Sequence, residues 1–265
     1  MTTLRLSTIL ALLFNIAGCV QRPMPSHVDG PAIWQRSVAI AEGEWQRFGG
    51  QVVHIRETDG AEVRAIDPVR LWEDDYKAYE PLREYWGVIG IDDFDSWSDC
   101  YSDFGKRCPW QLPWSAVFIS YVLVEAGAPP SVFEPDAEHW DYVRFLIRRS
   151  MQPDAVFEPR MIEDYRPVPG DIICKTRAGA DAPDTAALIA DPDQFGDSLP
   201  MHCDFVLVNH GSNAVPDGSI EGIGGNVLNS VSKTMTPAER GRLVNGRAGK
   251  WFIILRNRFG PAFTS

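Results

Sequence analysis

One serine occupies a position that favours nucleophilic chemistry. Ser115 stands near the start of a strongly apolar segment, PWSAVFISYVLVEAG, which spans residues 113–127 and ends at Gly127. Pro113 suits the position just before or within the first turn of a helix. A side chain at the start of a buried helix is held rigidly and feels the positive end of the helix dipole, and nearby N–H groups can stabilise an oxyanion. The same position equally suits a serine that only caps the helix.

A serine hydroxyl needs a general base to act as a nucleophile, and His202 is the candidate base. It opens the segment HCDFVLVNH, residues 202–210, which has the composition of a strand. Two residues could orient its imidazole. Asn226 lies in the next β-rich segment, and Asp204 faces the same side as His202 because it is two residues along the same strand. An aspartate would support a serine nucleophile better, because it stabilises the imidazolium that forms.

Two further residues are candidates for substrate binding. His139 is either a cleft residue or a histidine on a helix surface, and Trp114 is either a substrate platform or a core residue. The cysteines form no CxxC pair and the acidic segments 92–95 and 191–197 lack the spacing of a calcium loop, so we predict no metal site. We also predict no cofactor, because no phosphate-binding glycine motif is present.

The elements that must position these residues change type along the chain. Helical spacing dominates the first part, β-rich segments bounded by turn residues dominate the last third, and residues 88–111 form a predicted irregular loop. Helices followed by an antiparallel sheet predict an α+β fold. The predicted helices are residues 31–48, 69–87, 113–127 and 136–150, and the predicted strands are residues 51–56, 169–175, 202–210, 218–227 and 250–256.

The N-terminal segment predicts export and lipid attachment. One basic residue, Arg5, precedes an apolar run that is shorter than the roughly 20 residues needed to span a bilayer, which is typical of a signal peptide. The segment Ile16-Ala17-Gly18-Cys19 resembles the bacterial lipobox, in which the cysteine is lipidated after cleavage. The alternative is an ordinary signal peptide with a chance cysteine. By resemblance to lipoprotein sorting, Val20 in place of aspartate predicts the outer membrane.

These features give a predicted domain organisation. Residues 1–18 form the lipoprotein signal peptide, residues 19–30 form a lipidated tether, and residues 31–265 form a single domain with an N-terminal helical extension. The net charge of −11 disfavours nucleic acid as a partner, because the phosphate backbone repels an acidic protein.

With Cys19 lipidated, four cysteines remain. An even number in an oxidising compartment predicts two disulfides, although four free thiols and other pairings stay open. The pairing that we favour joins Cys100 to Cys108 and Cys174 to Cys203.

Four segments carry a family resemblance. The segment PWSAVFIS resembles the WCAAFV segment of CHAP amidases, PGDIIC their following PGD strand, HCDFVLV their strand that begins with histidine, and GGNVLNSV their GGN segment. The matches run in order across residues 113–231 and imply a papain-like fold of the CHAP/NlpC type, with helices packed on a small antiparallel sheet. Ser115 replaces the nucleophilic cysteine of those enzymes.

The chain also resembles a bacterial lipoprotein family known as domain-of-unknown-function family 2272. The shared segments are PWSA, HCD, GGNV and His139-Trp140-x-Tyr142, and the resemblance covers residues 31–258.

Together these resemblances imply an envelope lipoprotein with three candidate functions. The first is a hydrolase of amide or peptide bonds of peptidoglycan that uses Ser115 and His202, with Asn226 or Asp204. The second is a catalytically inactive papain-like module that binds peptidoglycan or an envelope partner. The third is other acyl chemistry, such as an esterase or transacylase activity. The expected location is the outer membrane, facing the periplasm, with contact to the membrane through the lipid anchor.

Overall fold

A computed structural model describes residues 30–259, apart from residues 59–60, 67–70, 103–104, 178–179, 213–216 and 246–249. The predicted signal peptide, Cys19 and all but the last residue of the predicted tether lie outside the described residues. Within the described part of the chain, no helix combines the length and the apolar character needed to cross a membrane.

Helices occur in all four segments where the sequence predicts them. The helix Ser115–Glu125 is apolar on every side, as expected of a helix at the centre of a domain, and eight of its eleven residues are buried. Two further short helices and one 3₁₀ helix, Pro192–Phe195, fall in segments with no helix prediction. The helices are α1, Gly30–Arg47; α2, Tyr76–Gly87; α3, Trp97–Ser102; α4, Ser115–Glu125; α5, His139–Arg149; and α6, Thr185–Ala190.

The strands form one mixed sheet that is larger than the small antiparallel sheet expected from the sequence. Its order is β2-β1-β7-β6-β5-β4-β9-β3, with β8 paired to β7, and the pair β1·β7 is parallel while all the others are antiparallel. The α+β class with a mostly antiparallel sheet is therefore confirmed. The strands are β1, Gln51–Thr58; β2, Ala61–Ile66; β3, Phe157–Met161; β4, Ile172–Thr176; β5, Met201–Asn209; β6, Asp217–Gly224; β7, Ser232–Glu239; β8, Arg242–Leu243; and β9, Trp251–Asn257.

The core has two parts, one on each face of the sheet. Successive residues of a strand point to opposite faces, so neighbours such as Phe205 and Val206 belong to different clusters. The larger cluster, which contains Phe205, also contains most of the buried apolar residues of α2, α4 and α5. The smaller cluster, which contains Val206, lacks residues of any helix in the described part of the chain. The helices therefore cover one face of the sheet.

Both cysteine pairs predicted from the sequence lie at disulfide distance. The Cα atoms are 5.7 Å apart for Cys100 and Cys108 and 4.2 Å apart for Cys174 and Cys203. The second pair joins residues that lie directly opposite each other on β4 and β5. This bridge fixes the start of β5, the part of the sheet that carries His202.

Candidate active site

Ser115 is the first residue of α4. The preceding residue, Trp114, makes no side-chain hydrogen bond to the helix, so no side chain in the described part of the chain caps the free N–H groups of the first turn. Ser115 is only 1% exposed, yet it lines a surface cleft. Its hydroxyl therefore lies at the floor of the cleft, next to the positive end of the helix dipole.

The hydroxyl of Ser115 contacts a histidine and an arginine. Its Oγ atom lies 2.7 Å from Nε2 of His139 and accepts a hydrogen bond of 3.1 Å from Nη2 of Arg177. Since a guanidinium can only donate, the serine proton is free to point to His139, whose Nε2 must then be the acceptor. The neutral imidazole accordingly carries its proton on Nδ1, which faces the hydroxyl oxygen of Tyr142.

His139 is held in its neutral form. Burial lowers the pKa of this imidazole well below 6.5, and the electrostatic interactions with His202 and Arg177 lower it further. With only 4% of its surface exposed, His139 has little water to stabilise a positive charge. At neutral pH it is thus able to accept a proton from Ser115.

Tyr142 contacts His139 at Nδ1, the ring nitrogen that does not face Ser115. Both residues belong to α5 and are three positions apart, so their side chains share one face of the helix. Burial, followed by the negative charge of Asp204, raises the pKa of Tyr142 well above 10. The phenol therefore stays protonated, and its oxygen can accept the proton on Nδ1 of His139.

His202 and Asp204 form a second pair beside this group. Nε2 of His202 lies 2.9 Å from Oδ1 of Asp204, as the spacing of two residues on one strand predicts. The ring of His202 meets that of His139 edge to face, with 5.5 Å between centroids. Among the contacts of the described residues, no hydrogen bond joins His202 to Ser115. In this structure the serine contacts the histidine of α5 and not that of β5.

A glycine on β6 makes room for the pair. A Cβ atom at Gly224 would lie 1.9 Å from Oδ1 of Asp204 and 2.9 Å from Nε2 of His202. Any other residue at this position would displace one of the two side chains. The glycine of the GGN segment thus has a packing role at the site.

The other two residues proposed from the sequence, Asn226 and Trp114, do not line the cleft. Asn226 sits in the turn after β6 with a φ of 56°, a left-handed conformation that asparagine tolerates, and no hydrogen bond to His202 occurs among the described residues. Trp114 is fully buried, stacks near Phe48 and donates to Glu73, so it belongs to the core and not to the cleft.

Two residues of the site received no role in the sequence-based prediction. Tyr142 could have been found from its spacing to His139, because residues three apart on a helix meet. Arg177 follows β4 in a segment without a recognisable pattern, and only the folded chain brings it to Ser115.

The cleft above Ser115 has a volume of about 450 Å³. Its walls are mainly apolar, with polar groups from His139, Arg177, Glu138 and Ser198. Within the described residues, no group of three or more His, Cys, Asp or Glu side chains could hold a metal ion. A mainly apolar cleft with a few convergent polar groups is the usual form of a small-substrate site.

Comparison with known proteins places the site inside one family. The family model described as "Uncharacterized protein conserved in bacteria (DUF2272)" matches residues 73–257, a range that contains every residue of the site. Neither the comparison with curated proteins nor the comparison with solved structures finds a match.

Proposed function

The chain belongs to the DUF2272 family of bacterial proteins, and from that premise and the site geometry we propose that it is a serine hydrolase acting on amide or peptide bonds of the bacterial cell wall. The observation that carries the proposal is the distance of 2.7 Å between Oγ of Ser115 and Nε2 of a buried, neutral His139. A nucleophile within hydrogen-bond reach of its base is the arrangement that covalent catalysis needs.

The first half of the reaction forms an acyl-enzyme. His139 takes the proton of Ser115 on Nε2 while Oγ attacks the carbonyl carbon of the substrate. The C=O bond becomes a C–O⁻ bond in the tetrahedral intermediate. The intermediate then collapses, the C–N bond breaks, and the leaving amine takes the proton from His139. The product of this half is an ester between the acyl group and Ser115.

The second half releases the acid. Water gives a proton to Nε2 of His139 and attacks the ester carbon, and the tetrahedral intermediate expels Oγ of Ser115, which recovers its proton from His139. The net reaction adds one water across the amide bond. No redox step and no further reactant are needed.

Arg177 and the start of α4 stabilise the negative charge. The guanidinium already donates to Oγ of Ser115 at 3.1 Å, so it favours the alkoxide character that develops during attack. The uncapped N–H groups of the first turn of α4 lie next to the same atom. In a site shielded from water, such preorganised donors contribute a large share of catalysis.

His202 acts as a positioning residue in this proposal, in place of the base role that the sequence suggested. Its ring packs on His139, and its partner Asp204 places a negative charge near Tyr142. His202 itself lowers the pKa of His139, so it helps to keep the imidazole neutral and ready to accept the proton of Ser115.

The cell wall is the proposed substrate for two reasons. The ordered resemblance to CHAP amidases covers Ser115 and His202, and α4 packs on β5 and β6, an arrangement compatible with a papain-like fold. The proposed lipid on Cys19 would hold the domain at the outer membrane, beside the peptidoglycan layer. The papain-like fold, the peptidoglycan substrate and the location are all parts of the proposal.

The test combines a substrate assay with a chemical probe. Purified cell-wall sacculi are digested with the wild-type protein, Ser115→Ala and Ser120→Ala, and the released fragments are analysed by mass spectrometry. Ser120 is a buried serine of the same helix that bonds to Asp136 and does not line the cleft, so it is the matched control. In parallel, each protein is treated with a fluorophosphonate, which labels activated serines.

We expect release and labelling with the wild-type protein and with Ser120→Ala, and neither with Ser115→Ala. Equal release by the wild-type protein and Ser115→Ala would exclude Ser115 as the nucleophile. Labelling without release would support the activated serine of a hydrolase but exclude the cell wall as its substrate. If the wild-type protein shows neither release nor labelling, the inactive binding module becomes the better description.

A further inference from the structure

A groove lined by aromatic rings lies outside the candidate active site. It has a volume of about 460 Å³ and lies between α2 and the segment that contains α3. Four aromatic residues contribute to it, and two serines, one glutamate and one arginine complete its lining. The lining residues are Tyr76, Tyr79, Phe94, Trp97, Glu80, Arg83, Ser96 and Ser98.

Of the four rings that line the groove, Tyr76 is exposed, Phe94 and Trp97 are half-buried and Tyr79 is buried. Tyr76 is 68% exposed, and Tyr101, which stacks on the groove residue Trp97, is 71% exposed. Buried apolar area stabilises a fold by roughly 25 cal/mol per Å², so exposed aromatic rings forgo that gain. Grouped exposed rings of this kind mark interaction sites.

The rings are held in fixed positions. The ring of Trp97 meets that of Tyr76 edge to face at 5.4 Å and stacks with that of Tyr101 at 5.3 Å, and its Nε1 donates to the carbonyl oxygen of Asp74 at 3.2 Å. The disulfide between Cys100 and Cys108 fastens α3 to the segment that follows it. A preorganised surface loses little conformational freedom when it binds a ligand.

The groove also offers both hydrogen-bond donors and acceptors at its edge. The hydroxyl group of Ser98 can do either, whereas that of Ser96 is bonded to Ser98 and Asp99. Glu80 accepts and Arg83 donates, and the two form an ion pair at 3.5 Å whose side chains are both partly exposed. Carboxylates flank the rings, including Glu80 and Asp99, and the chain as a whole carries a charge of −11, so an anionic ligand is disfavoured.

This combination fits one ligand chemistry. A neutral sugar ring has an apolar C–H face that stacks on an aromatic ring and hydroxyl groups at its edge that need donors and acceptors together. We infer that the groove binds a neutral oligosaccharide, with sugar rings stacked on Tyr76 and Trp97 and their hydroxyls bonded to Ser98, Glu80 and Arg83. The inference does not depend on the proposed hydrolase activity, because none of these residues belongs to the cleft of Ser115.

The test measures binding of two defined probes, a tetramer of N-acetylglucosamine and cellotetraose, by calorimetry at millimolar concentrations. Tyr76→Ala is the main variant, because a side chain that is 68% exposed contributes little to folding. Tyr76→Phe keeps the ring, and Phe259→Ala removes an exposed aromatic ring that does not line the groove. Thermal unfolding of each variant checks its fold.

We expect the wild-type protein, Tyr76→Phe, Phe259→Ala and Ser115→Ala to bind at least one probe with similar affinity. Tyr76→Ala should bind about tenfold more weakly, the loss that corresponds to one stacked ring. No binding by the wild-type protein, or equal binding by Tyr76→Ala, would overturn the inference. Self-association that depends on Tyr76, without binding of either probe, would overturn it as well and make the groove a protein interface. Ser115→Ala lacks the proposed nucleophile, so binding by this variant would show that the groove binds the probe independently of the proposed hydrolase activity.

Discussion

The protonation state of His139 decides whether Ser115 has a base. Burial, followed by the interactions with His202 and Arg177, holds the pKa of His139 well below 6.5, so the imidazole stays neutral as pH falls through the range in which an exposed histidine becomes charged. The same shift has a consequence for stability. A depressed pKa in the folded state means that His139 contributes stability above about pH 6.5, and that this contribution is lost as pH falls through the folded pKa.

We predict that kcat/KM of the wild-type enzyme stays level as pH falls through 6.5 and declines only at lower pH. His139→Gln should reduce kcat/KM by roughly 10²–10⁴-fold, the usual contribution of a general base. His202→Gln should retain more activity and move the acidic decline to higher pH, because His202 is one of the groups that lower the pKa of His139. The measurement is the pH dependence of kcat/KM for the three proteins on a labelled cell-wall fragment.

One result would reverse the roles of the two histidines. If His202→Gln abolished activity while His139→Gln retained most of it, His202 would be the base, as the sequence alone suggests. Melting curves of both variants serve as the control, because both side chains are buried.

The sequence predicts part of this site for clear physical reasons. Ser115 begins α4 because an apolar helix follows a proline, and His202 meets Asp204 because residues two apart on a strand share a face. The contact between Ser115 and His139 is different. The two residues are 24 positions apart on separate helices, and the way in which α4 and α5 pack, which no local pattern encodes, brings their first residues together.

At the scale of elements, a buried aspartate joins two neighbouring strands of the sheet, β4 and β9. Asp171 precedes β4 and is fully buried, and it accepts hydrogen bonds from the backbone N–H groups of Val168, at 2.8 Å, and Asn257, at 2.7 Å. It therefore ties the turn before β4 to the end of β9. Burial nevertheless dominates and raises the pKa of Asp171 from 3.8 to about 7.

This shift predicts a pH dependence of stability. Because the pKa is raised in the folded state, the folded protein binds the proton more tightly than the unfolded chain. The contribution of Asp171 is then fully present below about pH 4 and is lost as pH rises through about 7, by on the order of 4 kcal/mol.

The measurement is the free energy of unfolding by urea at several pH values, for the wild-type protein and Asp171→Asn. Asparagine cannot accept both backbone bonds, so the variant should be less stable at every pH. The difference between the two proteins should nevertheless shrink as pH rises from 4 to 7. A difference that stays constant or grows over this range would contradict the raised pKa.

Element prediction from the sequence fails where buried faces are polar. On β7 the residues that point inward are Ser232, Thr234, Thr236 and Ala238, and burial alternates along the strand. Burial alternates with the period of two that a strand requires, but the buried residues are mostly polar, so a search for alternating apolar residues misses the strand. Pro237 argues further against a strand. The strands with apolar inward residues, such as β5 and β9, are found at nearly their observed positions.

At the scale of the whole molecule, the disulfide pairs and the proposed lipid anchor support each other. Disulfides persist in oxidising compartments, which an exported protein reaches. The predicted tether, residues 19–30, could extend to roughly 40 Å at most. A site on so short a tether acts only on material close to the membrane, so the anchor would restrict the substrate as much as the cleft does.

We therefore predict that Cys19→Ala abolishes incorporation of a clickable fatty acid and moves the protein from the membrane fraction to the soluble fraction of the cell envelope. Val20→Asp is the matched control, because it keeps the lipidated cysteine and, by the sorting resemblance, should shift the protein from the outer to the inner membrane. Activity of purified Cys19→Ala on isolated sacculi should equal that of the wild-type protein, since the site lies wholly in the folded domain. Retention of Cys19→Ala in the membrane fraction, or labelling of that variant by the fatty acid, would show that another feature of the chain attaches it.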